Sequence, residues 1–369
     1  MRYAAALSEH GDPRVAIAEV IGQVLERIGP SPGFAVLFVS GTHIDQFVQI
    51  ARAVRQGLEP GHLLGSTATS VMAHRQAVEN AAAIVLWAGH TGPVEVSSSG
   101  TRLELGDTPE GSTVIVLADP LTFDADTTLS SVPPGVTLVG GLTSLPTSGT
   151  RNLFLADADV QTSGAVTAAL PDGLGIVPLV SQGCRPIGSP LTVTDARQNL
   201  ILELGGQTAL RRLEEAVASL SEADRGWAIQ HLQVGFAIDE HSGTLRPGDF
   251  LVRDVVGADN VSGSVACGGL PTIGMTAQFH IRDPDFASRE LEQLLHPRQA
   301  ESALLFTCER RGRRFFPRSS HDTELFCDGL GTTTVAGMFC SGEMGPAGPG
   351  HHVHGFAASG LLFGSSAAR

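Results

Sequence analysis

The chain has 369 residues, 42% of them hydrophobic, which rules out a disordered composition and gives length for two or more units with a large core. The net charge of −14 argues against nucleic acid and anionic membrane surfaces as partners, because both need a cationic face. All 24 basic residues are arginine, so a Schiff-base lysine, a lysine general base and a P-loop lysine are excluded.

The opening MRYAAALSEHGDPR has an apolar run too short for a secretory signal, so a cytoplasmic location is expected. Residues 12–28 place apolar side chains at 15, 17, 20, 21, 24, 25 and 28. That spacing predicts a helix, with Asp12 as its N-cap and Pro13 at its first position. After the break GPSPG, GFAVLFVS (33–40) reads as a buried strand, 43–58 as a helix, and HLLGS (62–66) and AAIVLWAG (82–89) as strands. The pattern then recurs. STVIVLADP (112–120), a short helix near 122–131, VTLVGGLTS (136–144) and RNLFLADADV (151–160) form a second set. SALLFTCERRG (302–312), a helix near 320–329, TTTVAGMFCSGE (332–343) and HGFAASGLLF (354–363) form a third.

Between the second and third sets lies a different block. LGIVPLVSQG (174–183) is a strand, and 191–206 gives two short strands across a polar turn. A long helix follows over 207–232, with a break at Ser221, then strands in HLQVGFAIDE (231–240) and GDFLVRDVVGAD (248–259). The polar segment 219–226 is the expected boundary between domains 1–222 and 223–369. The expected fold class is mixed α/β (α+β): layered mixed sheets with outer helices, built from about three β-α-β-loop-β repeats in two domains. No segment approaches the 18 apolar residues of a membrane span.

Several segments together carry a resemblance: 183–209, HLQVGFAIDE through GDFLVRDVVGAD, LLFTCERRG (304–312) and VAGMFCSGEMGPAGPGHHVHGF (335–356), with FVS and LLGSTATSV in the first set. They resemble the FIST family, a FIST N-terminal domain followed by a FIST C-terminal domain. The resemblance implies an intracellular sensory module that binds small ligands, amino acids among them, and that often sits beside signalling domains. A eukaryotic relative carries an F-box. This chain has no room for such an output module, so its output is expected to pass through a separate partner protein.

The residue types fit a polar ligand. Glu343 stands in Gly-Glu-Met-Gly, where glycines let a backbone approach closely and a carboxylate can accept from a ligand ammonium. Arg185, between Cys184 and Pro186, can grip a carboxylate through two parallel hydrogen bonds. Cys308, with Arg310 and Arg311 beyond it, ends one strand, and Cys340 and Ser341 end the next. The expected ligand-binding set is Cys184, Arg185, Cys308, Arg311, Cys340, Ser341, Glu343 and His354, with Arg185 and Glu343 meeting a zwitterion's two ends. No catalytic residue, metal or cofactor is expected. The five cysteines form no CxxC and read as reduced thiols. Two alternatives stay open: a scaffold that binds a protein without a small ligand, and a cysteine- or metal-dependent enzyme. The second would pair Cys308 or Cys340 with His321 or His354, or use His352 and His354 as ligands.

Overall fold

The structure is a computed structural model, and it describes residues 2–144, 151–240 and 245–367. Alternation along one strand shows how its layers arise. Phe34–Ser40 is buried along its whole length. Phe34, Val36 and Phe38 enter one core, while Ala35, Leu37 and Val39 enter another. The second core is closed by helices Pro13–Ile28 and Phe47–Leu58, which contribute Val20, Val24, Phe47, Ile50 and Val54. Asp12 caps the first helix by accepting from the Arg14 amide at 2.9 Å. The helix expected over 43–58 begins with a 3-10 turn, Gly41–Gln46, before its α-helical part.

The chain is mixed α/β. In a six-stranded sheet, Phe34–Ser40 lies parallel to His62–Ala68 and antiparallel to Ala83–Gly89. An eleven-stranded sheet holds two more parallel pairs, Thr113–Ala118 with Thr137–Thr143, and Ser302–Cys308 with Val335–Ala347. These pairs join antiparallel along Thr137–Thr143 and Val335–Ala347. The two sheets share a core in which Phe38 meets Phe306 edge-on at 6.4 Å.

Three strand–helix–strand copies are present, each closed by a strand antiparallel to its first. Ala83–Gly89, Ala165–Leu170 and Ala358–Phe363 do the closing. The second copy departs from expectation, because 151–160 does not close it. That segment contributes to a hairpin, Phe154–Ala156 with Asp159–Gln161, on the edge of the six-stranded sheet. Asp157 turns the hairpin at φ +55° and ties it to the sheet by accepting from the Leu63 amide at 3.0 Å and Arg55 Nη1 at 3.1 Å.

Each copy places a glycine of its second strand in register with a bulky residue of its first: Gly65 with Leu37, Gly140 with Val116, Gly337 with Leu305. A Cβ at these glycines would come within 2.8, 1.9 and 1.9 Å of the carbonyl oxygens of Leu37, Val116 and Leu305. A backbone carbonyl in a central strand cannot step aside. Gly337→Ala should therefore cost about 3 kcal/mol, at the upper end for overpacking. Gly22→Ala, in the middle of a helix with open space around it, should add up to about 1 kcal/mol. Urea midpoints measure both, and a Gly337→Ala protein as stable as wild type would contradict the steric account.

The chain packs as two compact units, 1–180 with 292–346 and 350–369, and 181–291 with 347–349. This partition differs from a division at 222/223. Strand Cys184–Arg197 bonds along Thr276–Arg282, so the second unit needs chain from both sides of that point. The second unit is a seven-stranded sheet whose core includes Val234, Phe279 and Ile281. Helices Ala209–Ala218 and Glu222–Gln230 pack on that core, with Ser221 as N-cap of the second. No helix among the described residues is long and apolar enough to cross a membrane.

Candidate functional site

Carboxyl ends of neighbouring parallel strands are where open α/β sheets place ligands. In the third copy these ends carry thiols, with Cys308 directly opposite Cys340. The equivalent pair in the first copy is Ser40 and Ala68. Just past Cys340 the pairing with Thr137–Thr143 slips by one residue. The extra residue, Ser341, bulges outward and donates to the carbonyls of Leu142 and Thr143 at 3.3 and 3.1 Å. The bulge resets the alternation: Met344 enters the core under helix Ala125–Ser130, opposite the face of Cys340. Glu343 therefore points to the same side as Cys340.

Glu343 is 0% exposed. Its Oε2 accepts from the amides of Phe356 and Ala357 at 3.3 and 2.9 Å. Its Oε1 has no hydrogen-bond partner among the described residues. Burial pushes this carboxyl up to about 8, against the pull of the two amides and of the Arg310 and Arg311 charges. The turn that supplies the amides is strained, because Phe356 sits at φ +101°, a region bulky side chains avoid. Strand pairing holds it there, with the Cys308 amide donating to the Ala357 carbonyl at 3.0 Å.

Both thiols are held protonated. Burial and the Glu343 charge push Cys308 up to about 12, and the same two causes raise Cys340 well above its usual range. The thiolate that a cysteine nucleophile needs is thus disfavoured. Arg310 lies beside the turn: a Cβ on Gly355 would be 3.6 Å from its Nη2. Arg311 is buried and grips Asp322 through Nε and Nη2 at 2.9 and 3.0 Å. Thr307 donates to the same carboxylate at 2.6 Å, and His321 Nδ1 lies 3.0 Å from it. Burial alone would raise Asp322, but the Arg311 charge and the bonds from His321 and Arg311 hold it well below the usual carboxylate range. The guanidinium carbon of Arg311 sits 5.3 and 5.5 Å from the ring centres of Phe316 and Phe356. Phe356 thus reaches Glu343 with its amide and Arg311 with its ring.

Of the residues expected from sequence, Cys308, Arg311, Cys340, Ser341, Glu343 and His354 all lie in the first unit. His354 is buried, with Nε2 3.3 Å from the Gly345 carbonyl oxygen. Cys184 and Arg185 lie on a strand of the second unit. The guanidinium expected to grip a ligand is engaged by two carboxylates, Asp283 at 2.6 Å and Asp224 at 3.2 Å. Arg310, which the sequence placed only at a strand end, is, with Arg311, a cation whose charge acts on Glu343. Phe356 and Ala357 act through their backbone amides, which no side-chain motif reveals. Asp322 reads in sequence as an ordinary first-turn helix residue.

The comparisons with known proteins agree with this architecture. Residues 33–207 match the FIST N domain and residues 209–346 match the FIST C domain. The chain is similar to two uncharacterized proteins of Mycobacterium tuberculosis, MT0656 and Rv0628c. Each is 36% identical over 382 aligned residues, covering 98% of this chain and 100% of the relative. It is also 36% identical to the uncharacterized protein Mb0898c of Mycobacterium bovis, covering 98% of this chain and 99% of that one. With both domains matched in order and relatives aligned end to end, the chain belongs to the FIST family.

Proposed function

We propose that this protein is a cytoplasmic sensor that binds a small polar metabolite bearing an ammonium group, an amino acid in the leading case. The observation that carries the reading is Glu343, a fully buried carboxylate with two amides on one oxygen and none on the other. Burying such a group without a partner is costly, and a ligand cation at Oε1 would relieve the cost. Arg310 takes the ligand's carboxylate in this reading, and Cys308 and Cys340 form the floor. Binding favours one conformation over another, and a separate partner protein reads the shift.

A thermal-shift screen with amino acids and simple amines tests the proposal. A ligand at 100-fold its dissociation constant should add about 2.7 kcal/mol of stability. Because Glu343 holds a proton below about pH 8, a cationic ligand must displace it. Affinity should therefore climb by up to about tenfold per pH unit between 6 and 8, then level off. A ligand bound equally well by Glu343→Gln, or with no pH dependence, would place binding elsewhere. No stabilisation by any amine or amino acid would remove the reading.

A further inference from the structure

A second feature of the first unit is unrelated to Glu343. A cavity of about 630 Å³ opens where Tyr3–Ser8 and Ser302–Cys308 begin, beside the carboxyl end of helix His321–Leu330. That volume suits a small-molecule ligand. Its wall carries Arg2, Arg27 and Arg75 against Glu301 and Asp328. Asp328 is gripped by Arg75 through both terminal guanidinium nitrogens. A neighbouring cavity of about 560 Å³ shares Glu301 and Asp328 and adds Arg298. Guanidiniums thus outnumber carboxylates here, in a chain whose net charge is −14.

Tyr3, the chain's single tyrosine, lines the same cavity. It is 2% exposed and fixed against Trp87 and Phe363, with ring centres 5.6 and 5.5 Å away. Its hydroxyl makes no hydrogen bond among the described residues. A buried hydroxyl stays without a partner only at a cost, and a ligand acceptor would remove that cost. Burial keeps the phenol protonated, and the charges acting on it are those of Arg2 and Glu301 on the same wall. Tyrosine and arginine thus offer donors and positive charge, which is the chemistry of anion recognition.

We propose that this cavity binds a small anion with phosphate or carboxylate oxygens, which accept from the Tyr3 hydroxyl and from Arg2 and Arg27. The single tyrosine allows a direct test on the full chain. Labelling with 3-fluorotyrosine gives one fluorine resonance, which reports on this cavity alone. Sodium phosphate or succinate should shift it saturably, while sodium chloride at equal ionic strength should not. The tighter of the two anions identifies the head group. Arg2→Ala and Arg27→Gln should each weaken binding by about tenfold, as loss of a charge-assisted bond does. Glu343→Gln should leave the titration unchanged, so the two sites stand or fall separately. In unlabelled protein, Tyr3→Phe should lose most of the thermal stabilisation that the anion confers. The proposal is overturned if neither anion gives a saturable shift, if choline chloride shifts the resonance instead, or if Tyr3→Phe keeps full stabilisation.

Discussion

Glu343→Gln is expected to stabilise the protein at pH 9 and to change little at pH 5. The sign follows from the raised acidity range. Below about pH 4.5, the ordinary glutamate value, the carboxyl is protonated in folded and unfolded chain alike. Between that point and about 8 the folded chain holds the proton and the unfolded chain releases it. The folded state then binds more protons, so stability falls as pH rises through that window and levels off above it. The full loss is on the order of a few kcal/mol, a large share of a typical domain's stability. Glutamine keeps the shape and the acceptor for the Phe356 and Ala357 amides but cannot ionise. Urea unfolding of both proteins from pH 5 to 9 measures the difference. Parallel curves would show that Glu343 is ionised in the folded protein and that its pocket is wetter than the structure depicts.

Arg311→Ala should be among the most damaging single changes, costing about 3–5 kcal/mol, because it leaves Asp322 charged and buried without its main partner. Arg311→Lys should recover little. A lysine keeps the charge but cannot make two parallel bonds to one carboxylate while lying between the Phe316 and Phe356 rings. The double change Arg311→Met with Asp322→Leu should recover much of the loss, since it removes both buried charges together. A double-mutant cycle followed by chemical denaturation measures the coupling. Additive single effects would mean that the pair is solvated and that the aromatic bracket does not hold it.

Much of the architecture could be read from residue order alone, and the failures have physical causes. Strands such as Phe34–Ser40 and Ala83–Gly89, covered on both faces, appear as unbroken apolar runs. Asp12-Pro13 marked a helix start through its capping chemistry. Ala165–Leu170 was missed because AVTAAL is built from small residues with weak strand preference, and only pairing with Thr113–Ala118 makes it a strand. The more apolar segment before it took its place in the reading. Within the site, Cys308, Cys340 and Glu343 were visible as unusual residues at strand ends. The orientation of Glu343 was not, because it depends on the Ser341 bulge, and a bulge depends on the partner strand. Arg185 showed the reverse limitation. Its sequence neighbours gave no hint of Asp283, which lies 98 positions further along the chain.

The seam between Thr137–Thr143 and Val335–Ala347 has a consequence for synthesis on the ribosome. Thr143 pairs with Cys340, nearly two hundred positions later. Until that late strand emerges, Thr137–Thr143 and Ser70–Ala73 wait without a neighbour they will both use. An apolar strand left with open backbone groups for so long invites association with other nascent chains. Completion of this sheet is therefore tied to the emergence of Val335–Ala347, and holdase chaperones have most to offer this chain in the interval before it.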